Sequence, residues 1–202
     1  GQMLVGDFQN AVVLRVFLEK VNGEWQGAVW PFAKGFLSGV NRLAMGSDGR
    51  LYVGGVKNAA WAAVAPKDYS LDRVSFTGQV PFEIKEGRAQ ADGFELTFTQ
   101  PTDRAAAENA QNYFVTQHTY KYHSAYGSPE IDHDGKENSS TEIKVLKATA
   151  SSDGLQVRLR LEDCRPGYVT AIQALDITSA TGNALWHDTF YYTLNQIPSG
   201  VA

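Results

Sequence analysis

The stretch PEIDHDGKE, residues 129–137, gathers Glu130, Asp132, Asp134 and Glu137 around His133. Carboxylates at alternate positions followed by a glycine suit a hard cation such as calcium, which takes six or more oxygen ligands. The spacing lacks the further ligands and the closing bidentate glutamate of an EF-hand, so the competing expectation is a solvated, charge-rich loop. Just upstream, QHTYKYHSAY places His118 and His123 among Tyr120, Tyr122 and Tyr126. On a continuous strand, 118, 120 and 122 share one face and 123 takes the other, which keeps the two histidines from converging on a metal. The tyrosines suit either stacking on the apolar side of a sugar ring or cross-strand packing in a sandwich.

A second aromatic group, Trp25, Trp30 and Trp61 with Phe32 and Phe36, lies in the first third of the chain. Core packing is the default for such residues in a small β unit, and exposure of Trp25 or Trp30 would instead mark a ligand platform or a domain contact. For nucleophilic catalysis Cys164 has Arg165 beside it to lower its pKa, but no histidine is tied to it by sequence. Ser47, in GSDG, has the context of a turn and not of a hydrolase elbow. Glu83, Glu86 and Asp92 offer acid pairs of the kind a glycosidase uses, with no spacing that selects one. No set of residues assembles into a catalytic constellation, and no catalytic residue is assigned.

These side chains must be positioned by strands. Of the 202 residues, 43% are hydrophobic and 20% charged, which suits one large or two small globular domains. A net charge of -4 with scattered basic residues gives no electrostatic footprint for nucleic acid. The lone cysteine rules out an internal disulfide framework, and no apolar run approaches the roughly 20 residues of a membrane-spanning helix. The opening GQMLVGDF lacks a signal-peptide pattern, and the expectation is an exported, periplasmic or extracellular protein whose targeting segment has been removed.

Residues 2–8 and 11–18 read as strands, VNGEW at 21–25 places Asn22-Gly23 between strands as a two-residue hairpin turn, and QGAVWPF follows. VNRLAMGSDGRLYVGG, residues 40–55, reads as a further hairpin around Asp48-Gly49. Residues 57–76 read as a connection. Beyond it, Phe94, Leu96 and Phe98 alternate with polar residues, Asp103 caps a short helix through Ala110, and Val157, Leu159 and Leu161 mark another strand. The expected fold is mainly β: a small β-rich unit over residues 1–65, then an immunoglobulin-like antiparallel β-sandwich over 66–202.

The segments ELTFTQPTDRAAAENAQNYFV and SSDGLQVRLRLEDCRPGYVTAIQALDITSATGNAL resemble the bacterial immunoglobulin-like domains that end exported proteins. QGAVWPFAKGFLSGVNRLAMGSDGRLYVGG is similar to the C-terminal part of exported β-propeller proteins related to soluble sugar (quinoprotein-type) dehydrogenases. The resemblance implies a propeller-blade-like first unit and a non-catalytic accessory module that packs on upstream propeller or cytochrome domains of the same polypeptide. It implies that any quinone or haem belongs to those other domains, since no Cys-x-x-Cys-His is present here. Carbohydrate is the alternative partner, through the tyrosines and tryptophans above. A third reading makes the chain part of a sugar dehydrogenase that is active only in a longer polypeptide.

Overall fold

The computed structural model describes residues 1–57 and 64–199. Fourteen strands carry the described chain, with a single five-residue α-helix, so the protein is mainly β. Two compact units emerge: Gly1–Phe17 with Val29–Val80, and Leu18–Ala28 with Pro81–Ala202. The sequence placed the change of unit at residues 65 and 66. The difference has two sources, a strand hidden in the expected connection and a hairpin whose tip counts with the second unit.

In the first unit, β1 (Met3–Asp7) pairs antiparallel with β2 (Val12–Val21), and β2 neighbours β3 (Glu24–Lys34). Asn22 and Gly23 carry φ of 48° and 90°, the pair of positive values that a two-residue turn needs to match the twist of its strands. A separate antiparallel sheet follows, in the order β4 (Gly39–Met45), β5 (Leu51–Val56), β6 (Tyr69–Val74). The 46–50 turn closes through Asp48, whose carboxylate accepts from the Arg50 amide at 3.1 Å and from the Tyr52 hydroxyl at 2.9 Å. Ala11, Val13, Phe36, Val40, Leu51, Val53 and Ala65 form the core of this unit. A propeller blade is one four-stranded sheet. Here the hairpin at 40–55 belongs to a three-stranded sheet that shares its core with β2, a strand of a seven-stranded sheet.

β6 corrects the reading of residues 57–76 as a plain connection. Its inward positions are Ser70, Asp72 and Val74, while Tyr69, Leu71 and Arg73 are exposed. Over Tyr69–Asp72 the polar groups face inward and the apolar ones outward, opposite to the usual strand signature, and only Val74 packs against the core.

The second unit is an immunoglobulin-like sandwich. One sheet has the order β11 (Val145–Ala150), β12 (Gln156–Leu161), β8 (Gly93–Phe98), β7 (Ile84–Gln90). In the other, the tip of the β2–β3 hairpin is followed by β14 (Thr189–Leu194), β13 (Tyr168–Ala174), β9 (Tyr113–His118) and β10 (Thr141–Glu142). Phe94, Leu96, Phe98, Val157 and Leu159 face Val115, Ile172, Phe190 and Tyr192, all at most 2% exposed. The Phe94 and Tyr192 rings meet edge to face with centroids 5.0 Å apart. α1 (Arg104–Glu108) is capped by Asp103, whose side chain accepts from the Ala106 amide at 2.8 Å, as the sequence indicated. No helix among the described residues is long and apolar enough to cross a membrane.

Candidate functional site

The chemistry-bearing residues of 117–165 collect where β9 ends and β13 begins. β9 stops at His118 because its neighbour β13 starts at Tyr168, immediately after the Pro166-Gly167 turn, and offers no ladder beyond the Val169–His118 pair. The chain then leaves the sheet and returns through one bridge: the Thr119 amide donates to the Ile131 carbonyl at 2.8 Å and the Ile131 amide to the Thr119 carbonyl at 2.9 Å. Tyr120, Tyr122 and Tyr126 therefore lie on a loop and not on the expected strand, with exposures of 53%, 107% and 96%. The cross-strand packing expected for them is absent. Tyr120 is tethered to His118 by a 3.0 Å contact between its hydroxyl and Nε2.

The DHDGK segment closes on itself. Asp132 is buried and its Oδ1 accepts from the amides of Asp134 at 3.0 Å and Lys136 at 2.9 Å, while Gly135 takes a φ of 84° that completes the turn. These amide bonds and the Ser139 side chain hold the Asp132 carboxyl below its usual pKa, the Lys136 amide foremost. The other carboxylates diverge. Glu137 pairs with Lys121 at 2.5 Å, Glu130 lies 3.8 Å from His118 Nε2, and Asp134 lines a neighbouring cleft. Among the described residues no group of three or more His, Cys, Asp or Glu side chains is placed to hold a metal ion. The four carboxylates proposed as calcium ligands thus serve a turn, two ion-pairing contacts and a cleft wall.

Gln117 is the organising residue, and the sequence reading missed it. It is fully buried, and its Nε2 donates to Thr170 Oγ1 at 2.9 Å and to the Arg165 carbonyl at 3.3 Å. Its Oε1 accepts from the Arg165 amide at 3.0 Å and lies 2.9 Å from His133 Nε2. An amide oxygen can only accept, so His133 carries a proton on Nε2, and its Nδ1 lies 3.9 Å from Asp163 Oδ2. The imidazole packs edge to face on Tyr168. Burial foremost, with the Arg165 charge second, pushes the His133 pKa down. A signal was available: Tyr113, Val115 and Gln117 occupy the buried phase of β9, so a glutamine there requires buried partners.

The cleft beside this network has a volume of 320 Å³ and is walled by His133, Asp134, Glu142, Lys144, Asp163 and Arg165, among others. A shallow neighbour of 410 Å³, lined by Tyr113, Phe114, Val115 and Leu175, shares the Glu142–Lys144 rim. Both are open surface depressions, the first of mixed polarity and the second mainly apolar.

The remaining candidates are dispersed. Trp30 is fully buried under the Arg15 guanidinium, 4.3 Å from its ring, which removes it from any ligand platform. Trp25 is 63% exposed with Lys20 above it, and Trp61 lies outside the described residues. The Cys164 thiol is pushed up to about 12 by burial and by Asp163, against the lowering expected from Arg165. Glu83 pairs with His187 at 2.6 Å, Glu86 with Arg88 at 2.9 Å, and Asp92 with Arg158. The three acids weighed as glycosidase pairs thus each face a different partner, an imidazole for Glu83 and guanidiniums for Glu86 and Asp92. The Glu83–His187 contact spans 104 residues, and no local pattern in the sequence announces it.

No family model and no curated protein matches the chain. Among solved structures it is similar to the surface layer protein SbsC, domains 1–6, at 17% identity and a TM-score of 0.41, covering 59% of this chain and 14% of that one. It is also similar to the N-terminal part of the bacterial S-layer protein SbsC, at 17% identity and a TM-score of 0.42, covering 59% of this chain and 25% of that one. The chain thus spans a quarter or less of the length of these proteins.

Proposed function

We propose that this chain is a non-catalytic accessory module of a longer, exported bacterial polypeptide, acting by contact with neighbouring domains and not by chemistry of its own. One observation carries the reading. The side chains with chemical capacity (Glu83, Asp132, His133, Cys164 and His187) are turned into the framework, while large aromatic groups stand outside it. The test is an immunoblot of the native host with an antibody raised against this chain. A band far above 22.1 kDa supports the module, and a band near 22.1 kDa overturns it.

The loop tyrosines favour a second reading, carbohydrate binding. Tyr122 and Tyr126 are almost wholly exposed on the 119–130 loop, where an aromatic face is free to stack on a sugar ring. Co-sedimentation with insoluble polysaccharides, including cell-wall material, tests it. Binding that is lost in the Tyr122→Ala/Tyr126→Ala double variant supports this reading, and binding that is absent or unaffected removes it.

A further inference from the structure

Among the described residues, the edge strand β6 carries apolar side chains, Tyr69 and Leu71, that are more exposed than Met3 and Val5 on the edge strand β1 or Met45 on the edge strand β4. β5 is its single neighbour in the order β4-β5-β6, and the ladder between them runs without a bulge from Val56–Tyr69 to Leu51–Val74. The opposite edge strand, β4, has a register shift between Val40 and Arg42. Bulges, prolines and charges are the usual devices that keep sheet edges apart, and Tyr69–Val74 contains neither of the first two. Tyr69 is 81% exposed and Leu71 76%.

The parity of the ladder says which backbone groups are available. The Lys57 amide donates to the Asp68 carbonyl at 2.6 Å, making 57–68 a hydrogen-bonded pair. The register then makes 55–70, 53–72 and 51–74 hydrogen-bonded pairs and 56–69, 54–71 and 52–73 non-bonded ones. The N–H and C=O groups of Tyr69, Leu71 and Arg73 therefore point away from β5, along the open edge.

We infer that two copies of this chain join through β6, antiparallel and edge to edge, with Leu71 on the two-fold axis. An antiparallel two-fold perpendicular to the sheet must centre on a residue, and the charges select which one. Centring on Ser70 sets Asp72 opposite Asp68 of the other copy. On Asp72 it sets two aspartates face to face, and on Arg73 two arginines. On Tyr69 the two strands overlap at Tyr69 alone. Centring on Leu71 pairs Tyr69 with Arg73, Leu71 with Leu71 and Ser70 with Asp72. It opposes no like charges, sets a guanidinium against an aromatic ring and a hydroxyl against a carboxylate, and gives every outward N–H and C=O of 69, 71 and 73 a partner. This partner is a second copy of the chain, independent of the loop tyrosines and of any upstream domain.

Single-cysteine variants of the full chain test the register. Residues 71 and 71 of the two copies form a directly opposed pair, with Cα atoms about 5.5 Å apart, inside the range a disulfide can bridge. Residues 69 and 69 would be four positions apart along the strand, roughly 13 Å, and out of reach. Under mild oxidation Leu71→Cys should give a covalent dimer at twice the monomer mass, and Tyr69→Cys and the parent chain with its half-buried Cys164 should not. Sedimentation equilibrium of the parent chain should show a concentration-dependent dimer that Leu71→Lys weakens at least tenfold without altering circular dichroism. A chain monomeric at all concentrations, equal cross-linking at 69 and 71, or a dimer insensitive to Leu71→Lys would each overturn the inference.

Discussion

Replacing Gln117 by leucine removes four buried hydrogen bonds while leaving the volume of the site nearly unchanged. The partners left behind are unequal. The Thr170 hydroxyl and His133 Nε2–H sit on fully or nearly buried side chains, whereas the Arg165 backbone belongs to an exposed turn and can turn to water. An orphaned buried polar group costs roughly 1–3 kcal/mol, so counting Thr170 and His133 alone predicts a loss of about 2–6 kcal/mol. At this chain length each kcal/mol moves the melting temperature by about 2–4 °C, which places the expected fall at roughly 4–24 °C. Urea and thermal unfolding give the global value. Hydrogen exchange gives the local one, since the Arg165 amide, held 3.0 Å from Gln117 Oε1, should exchange faster in the variant. Gln117→Glu separates the two ends of the side chain: it keeps both acceptor contacts, loses the donor to Thr170, and should raise the His133 pKa measured by NMR. A Gln117→Leu protein within 0.5 kcal/mol of the parent, with Arg165 exchange unchanged, would refute the view that this glutamine holds the β9–β13 end together.

Acid should expose the same network. The folded His133 pKa lies below its ordinary 6.5, so the native state binds fewer protons than the unfolded chain. The contribution of neutral His133 is complete above pH 6.5 and declines as pH falls below that value, levelling out once the folded pKa is passed. His133→Gln should flatten that slope in urea-unfolding midpoints taken across pH 7 to 4. Gly93→Ala should destabilise by roughly 2–4 kcal/mol, because a Cβ there would stand 2.1 Å from the Leu159 carbonyl oxygen of the paired strand at a φ of 150°. A chemical-denaturation midpoint unchanged from the parent would contradict this. Raising the Cys164 pKa from 9.0 to about 12 cuts its thiolate fraction about a thousandfold. Iodoacetamide at pH 8 should therefore alkylate it far more slowly than free cysteine, and equal rates would show the thiol to be open.

Local chemistry in the sequence was enough for most of the secondary structure. Alternating Phe94, Leu96 and Phe98, the Asn22-Gly23 turn, the Asp48-Gly49 turn and the Asp103 cap each specify their own conformation through neighbours a few residues away. The mainly β class and the sandwich of the second unit follow from the sum of such signals. β6 escaped because a strand whose inward positions are Ser70 and Asp72 carries no periodic apolar signal, and pairing with β5 alone makes it a strand.

The sites depended on contacts that no local pattern encodes. The spacing of Glu130, Asp132, Asp134 and Glu137 would let all four meet on one cation if the loop wrapped around a centre. Instead, amides of the same turn took Asp132 and Lys121, sixteen residues upstream, took Glu137. Trp25 and Trp30 were equivalent candidates in the sequence. Five residues separate the exposed ring from the buried one because a strand alternates its faces and Arg15 lies above only the second. The sequence by itself determined which residues form strands, turns and the cap, because those preferences arise from backbone geometry and near neighbours. Only the tertiary structure decided which polar groups are consumed inside and which edges and aromatic rings remain outside. That outcome turns on partners up to 175 residues away, brought within hydrogen-bonding distance by the fold.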